Sequence, residues 1–111
     1  GTCGQLPTIQ AIMEIADHPN IAVCWNSNST DLNGDGLEHN FKLVRGRFGD
    51  TCHVHRLDNR RYPYAQLMKL LVESQYEGWV MLEEGKPEKD PYSQLIRQRD
   101  LFEKMVAEAN A

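Results

Sequence analysis

The chain has 111 residues, at most one domain at roughly 100 to 200 residues per domain. Apolar residues make up 41%, aromatics 8% and charged residues 25%, a globular composition that excludes disordered, collagenous and low-complexity classes. Twelve basic against sixteen acidic side chains leave a net charge of −4, which argues against a nucleic-acid binder, and no apolar run approaches the roughly 18 residues of a bilayer span.

Ile9, Ile12, Met13 and Ala16 follow helical spacing, with Pro7 near the start. They predict a short amphipathic helix ending around Asp17 to Asn20, where Pro19 cannot continue it. Ile21 to Trp25 is a compact apolar run, the pattern of a parallel strand buried on both faces. Asn26 to Gly36 is rich in Asn, Ser, Asp and Gly and reads as a loop. Within it, Asp31-x-Asn33-x-Asp35-Gly36 resembles the first half of a calcium loop. Lys42 stands where that loop needs a bidentate Glu, so turn chemistry is the better reading. Leu37, Phe41, Val44 and Phe48 mark a second helix, and Thr51 to His55 a second strand. Tyr62-Pro63-Tyr64 opens a third helix carrying Leu67, Leu70, Leu71 and Ser74. Trp79 to Leu82 is a third strand. Asp90 and Pro91 supply an N-cap and a first-turn proline for a last helix with Leu95, Phe102, Val106 and Ala109.

Strands alternating with helices imply an α/β fold with a parallel sheet and helices on its faces. Val23, Val54 and Val80 recur at spacings of 31 and 26 residues, about the length of a strand–helix unit. Cys3, Cys24 and Cys52 are odd in number and lack C-x-x-C spacing, so they read as reduced thiols in a cytoplasmic setting. Cys24 and Cys52, in strand-like runs, read as small buried hydrophobes. No charged-then-apolar leader is present, so no secretory signal is expected. Trp25 and Trp79 read as core, and Arg97, Arg99, Glu103 and Lys104 as a solvated helix face.

Side chains alternate along a strand. Ala22, Cys24 and Asn26 share one face of the first strand, His53 and His55 one face of the second, Met81 and Glu83 one face of the third. Asn26, His53, His55 and Glu83 therefore collect near the carboxyl ends, where sites form in parallel sheets and barrels. Imidazole with carboxylate suits a divalent metal such as Mn²⁺, Zn²⁺, Co²⁺ or Fe²⁺, with at least one further carboxylate from elsewhere. Glu83 and Glu84 point oppositely, so only one faces the pocket.

Three segments, Val23-Cys24-Trp25-Asn26-Ser27-Asn28, Cys52-His53-Val54-His55-Arg56-Leu57-Asp58-Asn59 and Tyr76-Glu77-Gly78-Trp79-Val80-Met81-Leu82-Glu83, come in this order at barrel spacing. Over nearly its whole length the chain resembles the C-terminal half of the sugar phosphate isomerase/epimerase family. These are xylose isomerase-like TIM barrels related to the endonuclease IV type of AP endonuclease. The resemblance implies a partial (β/α)8 barrel of three parallel strands and four helices, about the fifth helix to the eighth. A full barrel takes about 250 residues. Residues 1–111 are thus expected to be the C-terminal portion of a longer chain, with the other catalytic glutamate ahead of Gly1. Raw sheet edges imply self-association or pairing with the missing barrel half.

The implied activity is metal-dependent isomerisation or epimerisation of a sugar or sugar phosphate by enediolate proton transfer. Glu83 corresponds to a catalytic acid/base and metal ligand, and His55 to a metal ligand, with His53 as the alternative. Asn28, Arg60 and Arg61 correspond to substrate contacts. Asn26 stands where the family usually has Asp, making it a weak ligand, and Ser29 where it often has His; Asn28 or Asp31 are the nearest residues to compensate. Two other readings remain. One is a degenerate, non-catalytic barrel that binds a small polyol or serves as an assembly part. The other is an AP-endonuclease-like nuclease, which the net charge of −4 disfavours. No nucleic-acid or membrane partner is expected.

Overall fold

A computed structural model describes residues 2–111. Four helices alternate with three strands: α1 (Leu6–Ala16), β1 (Val23–Asn26), α2 (Leu37–Val44), β2 (Phe48–Val54), α3 (Tyr64–Glu73), β3 (Trp79–Leu82) and α4 (Pro91–Ala109). Single 3-10 turns occupy Thr2–Gly4, Ser29–Leu32 and Arg45–Arg47. The sheet is wholly parallel in the order β1-β2-β3. Its register sets Asn26 beside His53 and His53 beside Met81. The β1–β2 pairing slips between Val23 and Trp25, a bulge in which two residues of β1 span four of β2.

The α/β alternation read from the sequence is present, but burial corrects one expectation. Among the described residues, no strand is covered on both faces. Val23, Trp25, Cys52 and Val54 are buried against α1, α2 and α3, and Val80 packs on the same core. Cys24 and Asn26 are exposed, as are Trp79 at 75% and Met81 at 47%. Every helix therefore lies on one side, and the other face is bare. Cys24 and Trp79 are accordingly surface residues, not core. All three cysteines are free thiols, with Cys3 and Cys24 exposed and Cys52 buried. Burial pushes the Cys52 thiol up to about 12, so it stays protonated and inert.

The core is densest where α2 and α3 meet β1 and β2. Phe41, Val44, Cys52, Leu67 and Met68 are fully enclosed, each large apolar side chain among them contributing about 1.5–3 kcal/mol. Trp25, Phe41, Phe48 and Tyr76 form a chain of rings with centroids 5.3–5.9 Å apart, largely edge-on. Phe48 belongs to β2, not to the second helix. The helix ends at Val44, and the turn through Gly46 brings Phe48 back to the same core that its i+4 spacing suggested. Ile12 (46%) and Leu95 (58%) are exposed, because α1 and α4 are terminal elements with one helical neighbour each.

Two backbone positions are demanding. Gly78 precedes β3 where the chain passes so close to Tyr76 and β2 that a Cβ would lie 2.6 Å from the Asp50 carbonyl. Gln75 ends α3 at φ +54°. Tyr76 N–H donates to the Leu71 carbonyl and Gln75 N–H to Val72, both at 3.0 Å. That is a Schellman cap with glutamine where glycine is preferred. Replacing Gln75 with Gly should raise stability by about 1 kcal/mol through relief of left-handed strain. Urea denaturation checks this; a lowered midpoint would mean that the side chain contributes more than its backbone conformation costs.

Candidate functional site

The carboxyl ends of the strands carry the polar groups. On the bare face, Asn26, His53 and Met81 form one row across the three strands. One step further on, His55 and Glu83 follow β2 and β3, and Glu83 N–H closes the ladder on the Val54 carbonyl at 2.8 Å. Glu83 Oε2 lies 3.2 Å from His53 Nδ1, with side-chain exposures of 51% and 31%. His55 Nδ1 lies 2.8 Å from the Glu83 carbonyl oxygen. A carbonyl only accepts, so in the neutral imidazole this contact places the His55 proton on Nδ1 and the lone pair on Nε2. Glu83 thus anchors both imidazoles, one by its carboxylate and the other by its backbone.

The other predicted site residues divide. Asn26 joins the row beside His53. Asn28, Arg60 and Arg61 are exposed on the loops after β1 and β2, at the same end of the sheet. Among the described residues, neither Arg60 nor Arg61 has a carboxylate within ion-pair distance. Asp31 does not reach the bare face. It is buried, accepting the Tyr62 hydroxyl at 2.6 Å and Asn28 N–H at 2.9 Å. Burial holds its carboxyl above the usual range, opposed by those two donors. Asp31 is therefore the clip that ties the β1–α2 loop to the β2–α3 loop. Neither a calcium loop nor a compensating ligand for Asn26 forms there.

A second cluster lies beside the histidines. Arg56 grips Asp58 through Nε and Nη2, both at 3.2 Å, and Glu88 through Nη1 at 2.7 Å. Its N–H donates to Glu84 at 3.0 Å. Arg97 and Gln98 also bind Asp58, each at 3.1 Å, and the buried Gln98 accepts Leu57 N–H at 2.7 Å. The Arg56 guanidinium holds the Asp58 carboxyl down to about 2. Its folded value is depressed, so the stability it contributes is present above about pH 4 and is lost as pH falls toward 2. Arg97 is thus half of a loop clamp as well as part of a solvated face. His55, Arg56, Asp58, Asn59 and Glu84 line an open depression of about 370 Å³. A larger hollow of about 480 Å³ faces the amino ends of β2 and β3, away from the histidines.

Sequence reasoning passed over Ser27, Tyr62, Tyr64 and Gln98. Gln98 had a signal, a polar residue on the apolar stripe between Leu95 and Phe102. Two tyrosines flanking Pro63 before an amphipathic helix were another. Among the described residues, no group of three or more His, Cys, Asp or Glu side chains could hold a metal ion. Among the same residues, no helix is long and apolar enough to cross a membrane. No family model, curated protein or solved structure matches the chain.

Tyr62→Phe should remove one of the two donors to a buried carboxylate and destabilise by about 1–3 kcal/mol at neutral pH. Because the folded Asp31 carboxyl titrates above its unfolded value, the ionised form is the costly one in the folded state, and its penalty grows as pH rises through the folded pKa. The deficit of the variant should therefore be larger at pH 7 than at pH 4 in urea denaturation. An equal deficit at both would show that the carboxylate is not the partner that matters.

Proposed function

We propose that the chain is an arc of a (β/α)8 barrel, the C-terminal portion of a cytoplasmic, metal-dependent isomerase or epimerase of the xylose isomerase-like kind, acting on a sugar or sugar phosphate. The supporting observation is the bare sheet face with His53, His55 and Glu83 gathered at its carboxyl rim. A doubly wound sheet carries helices on both faces, whereas a barrel wall carries them outside only, with the other face turned to the axis. β1 and β3 are each paired on one side only, which suits pairing with the missing barrel half or self-association.

Glu83 is the proposed acid/base. Its carboxylate sits 3.2 Å from His53 Nδ1, so a proton taken from a sugar carbon is shared with a neighbouring imidazole. His55 is the proposed metal ligand through its free Nε2, with His53 as the alternative and Asn26 as a weak neutral donor. These groups do not make a metal site by themselves. Further donors are proposed to come from the strands that complete the ring. When bound, a divalent Mn, Zn, Co or Fe ion would supply Lewis-acid polarisation of the sugar carbonyl. Arg60 and Arg61, free of ion pairs among the described residues, suit a phosphate or hydroxyl-rich substrate, with Asn28 on the neighbouring loop.

A second reading has its own support. Asn26 in place of a carboxylate and the shortage of metal donors favour a non-catalytic barrel that binds a small polyol or serves in assembly. An AP-endonuclease-like nuclease finds little support at a net charge of −4.

A panel of aldoses, ketoses and their phosphates, assayed with Mn²⁺, Zn²⁺ or Co²⁺ on the protein with its complementing half, separates these readings. The 111-residue chain alone is expected to be inactive. In the complemented protein, Glu83→Gln should reduce turnover by about 100-fold or more. Unchanged turnover would remove Glu83 from the chemistry, and polyol binding without turnover would favour the second reading.

A further inference from the structure

Beneath the two histidines lie two buried hydroxyls. In a parallel strand, alternate residues direct their N–H and C=O groups to opposite neighbours. His53 turns its carbonyl toward β1, and Val54 turns its own toward β3, where Glu83 N–H meets it. The amide of His55 points back toward β1, but β1 ends at Asn26 and the chain has already entered the loop. That N–H has no strand partner. Tyr64 accepts it through its hydroxyl at 2.9 Å. Ser27 performs the matching task for His53, donating N–H at 3.3 Å and Oγ at 3.0 Å to its carbonyl. Tyr64 is 2% exposed and Ser27 4%.

Tyr64 is itself rigidly held. It is the first residue of α3, directly after Pro63, and its ring stacks at a tilt on Tyr62 with centroids 4.7 Å apart. Burial raises its phenol pKa, so it remains a neutral group. On the far side of His55 the imidazole donates Nδ1–H to the Glu83 carbonyl. The backbone of His55 is fixed from α3 and its ring from β3. A neutral histidine side chain free in water prefers its proton on Nε2, so the Nδ1–H form has to be imposed by this geometry.

We propose that Tyr64 is a positioning residue for His55. By closing the unpaired amide at the end of β2, it holds the imidazole against the Glu83 carbonyl in the Nδ1–H tautomer and keeps Nε2 unprotonated for a ligand. The use of that nitrogen rests on the functional reading above; the tautomer does not. Ser27 holds His53 separately, so the two histidines are set by different hydroxyls.

Tyr64→Phe keeps the packed ring and deletes the acceptor. In ¹⁵N NMR of the 111-residue chain near pH 8, the wild type should show His55 protonated at Nδ1 and bare at Nε2. In the variant, the His55 ring should move toward a mixture of tautomers while His53 is unchanged. The His55 amide should exchange about tenfold or more faster as its hydrogen bond is lost. In the protein with its complementing half, a Zn²⁺ titration should weaken by about tenfold or more if His55 is a ligand, the usual scale for removing an outer-shell partner. A tautomer change in the variant with no Zn²⁺ binding by either complemented protein upholds the positioning role and overturns the metal reading instead. A shifted urea midpoint with an unaltered His55 ring spectrum makes Tyr64 merely structural and overturns the proposal. If Tyr64→Phe does not fold, the wild-type spectrum decides: Nδ1–H with a slowly exchanging His55 amide supports the proposal, and Nε2–H overturns it.

Discussion

A pleated strand hides only the row of side chains that faces a packed layer. Here all four helices press on the same side of a three-stranded sheet, and the rest of the molecule follows from that asymmetry. Cys52 and Val54 go into the core while His53 between them goes to the bare side. Trp25 is enclosed and Cys24 and Asn26 on either side of it are not. The bare face thereby gathers one polar or adaptable group from each strand, and parallel pairing brings the last of them to a single rim.

That rim is held from below and from the side. Below, Ser27 and Tyr64 satisfy backbone groups that the ladder leaves open where β1 stops short of β2. To the side, Arg56 and Asp58 tie the loop after β2 to the segment after β3 and to α4. Asp31 and Tyr62 do the same for the loop after β1. Apart from Tyr64 on His55, these fastenings join residues 26 to 40 positions apart, so the loops that carry Asn28, Arg60 and Arg61 stand on fixed bases. An exposed ion pair is worth at most about 1 kcal/mol, whereas leaving a buried carboxylate short of a donor costs more. On that scale the Asp31–Tyr62 clip matters more to loop placement than the partly exposed Arg56 cluster.

Much of this was legible in the residues. Helical spacing and the Asp90-Pro91 start located all four helices, and period-two alternation put His53 and His55 on the same face and Glu83 on the matching face of β3. The coverage of the sheet was not legible. Ile21 to Trp25 is a continuous apolar run that reads as doubly buried, and Trp79 reads as core, because Trp, Met and Cys carry the same signal whether covered or bare. Phe48 misled for a related reason: its distance from Val44 fits a helix, and only the turn at Arg45–Arg47 shows that it reaches the core as a strand residue. Asp31 read as turn chemistry, or as one of two residues to compensate for Asn26, because its partner Tyr62 is distant in sequence and joins it only once both loops fold over the same end of the sheet. No local pattern reports such a pairing.

The most direct test of one-sided coverage uses two thiols in neighbouring strands. Cys24 and Cys52 lie on opposite faces, the first exposed and the second buried. Native-state alkylation of the 111-residue chain, mapped by mass spectrometry, should label Cys24 readily and leave Cys52 unlabelled until the chain is unfolded. Protection of both, or labelling of Cys52 as fast as Cys24, would contradict a sheet with one covered and one bare face.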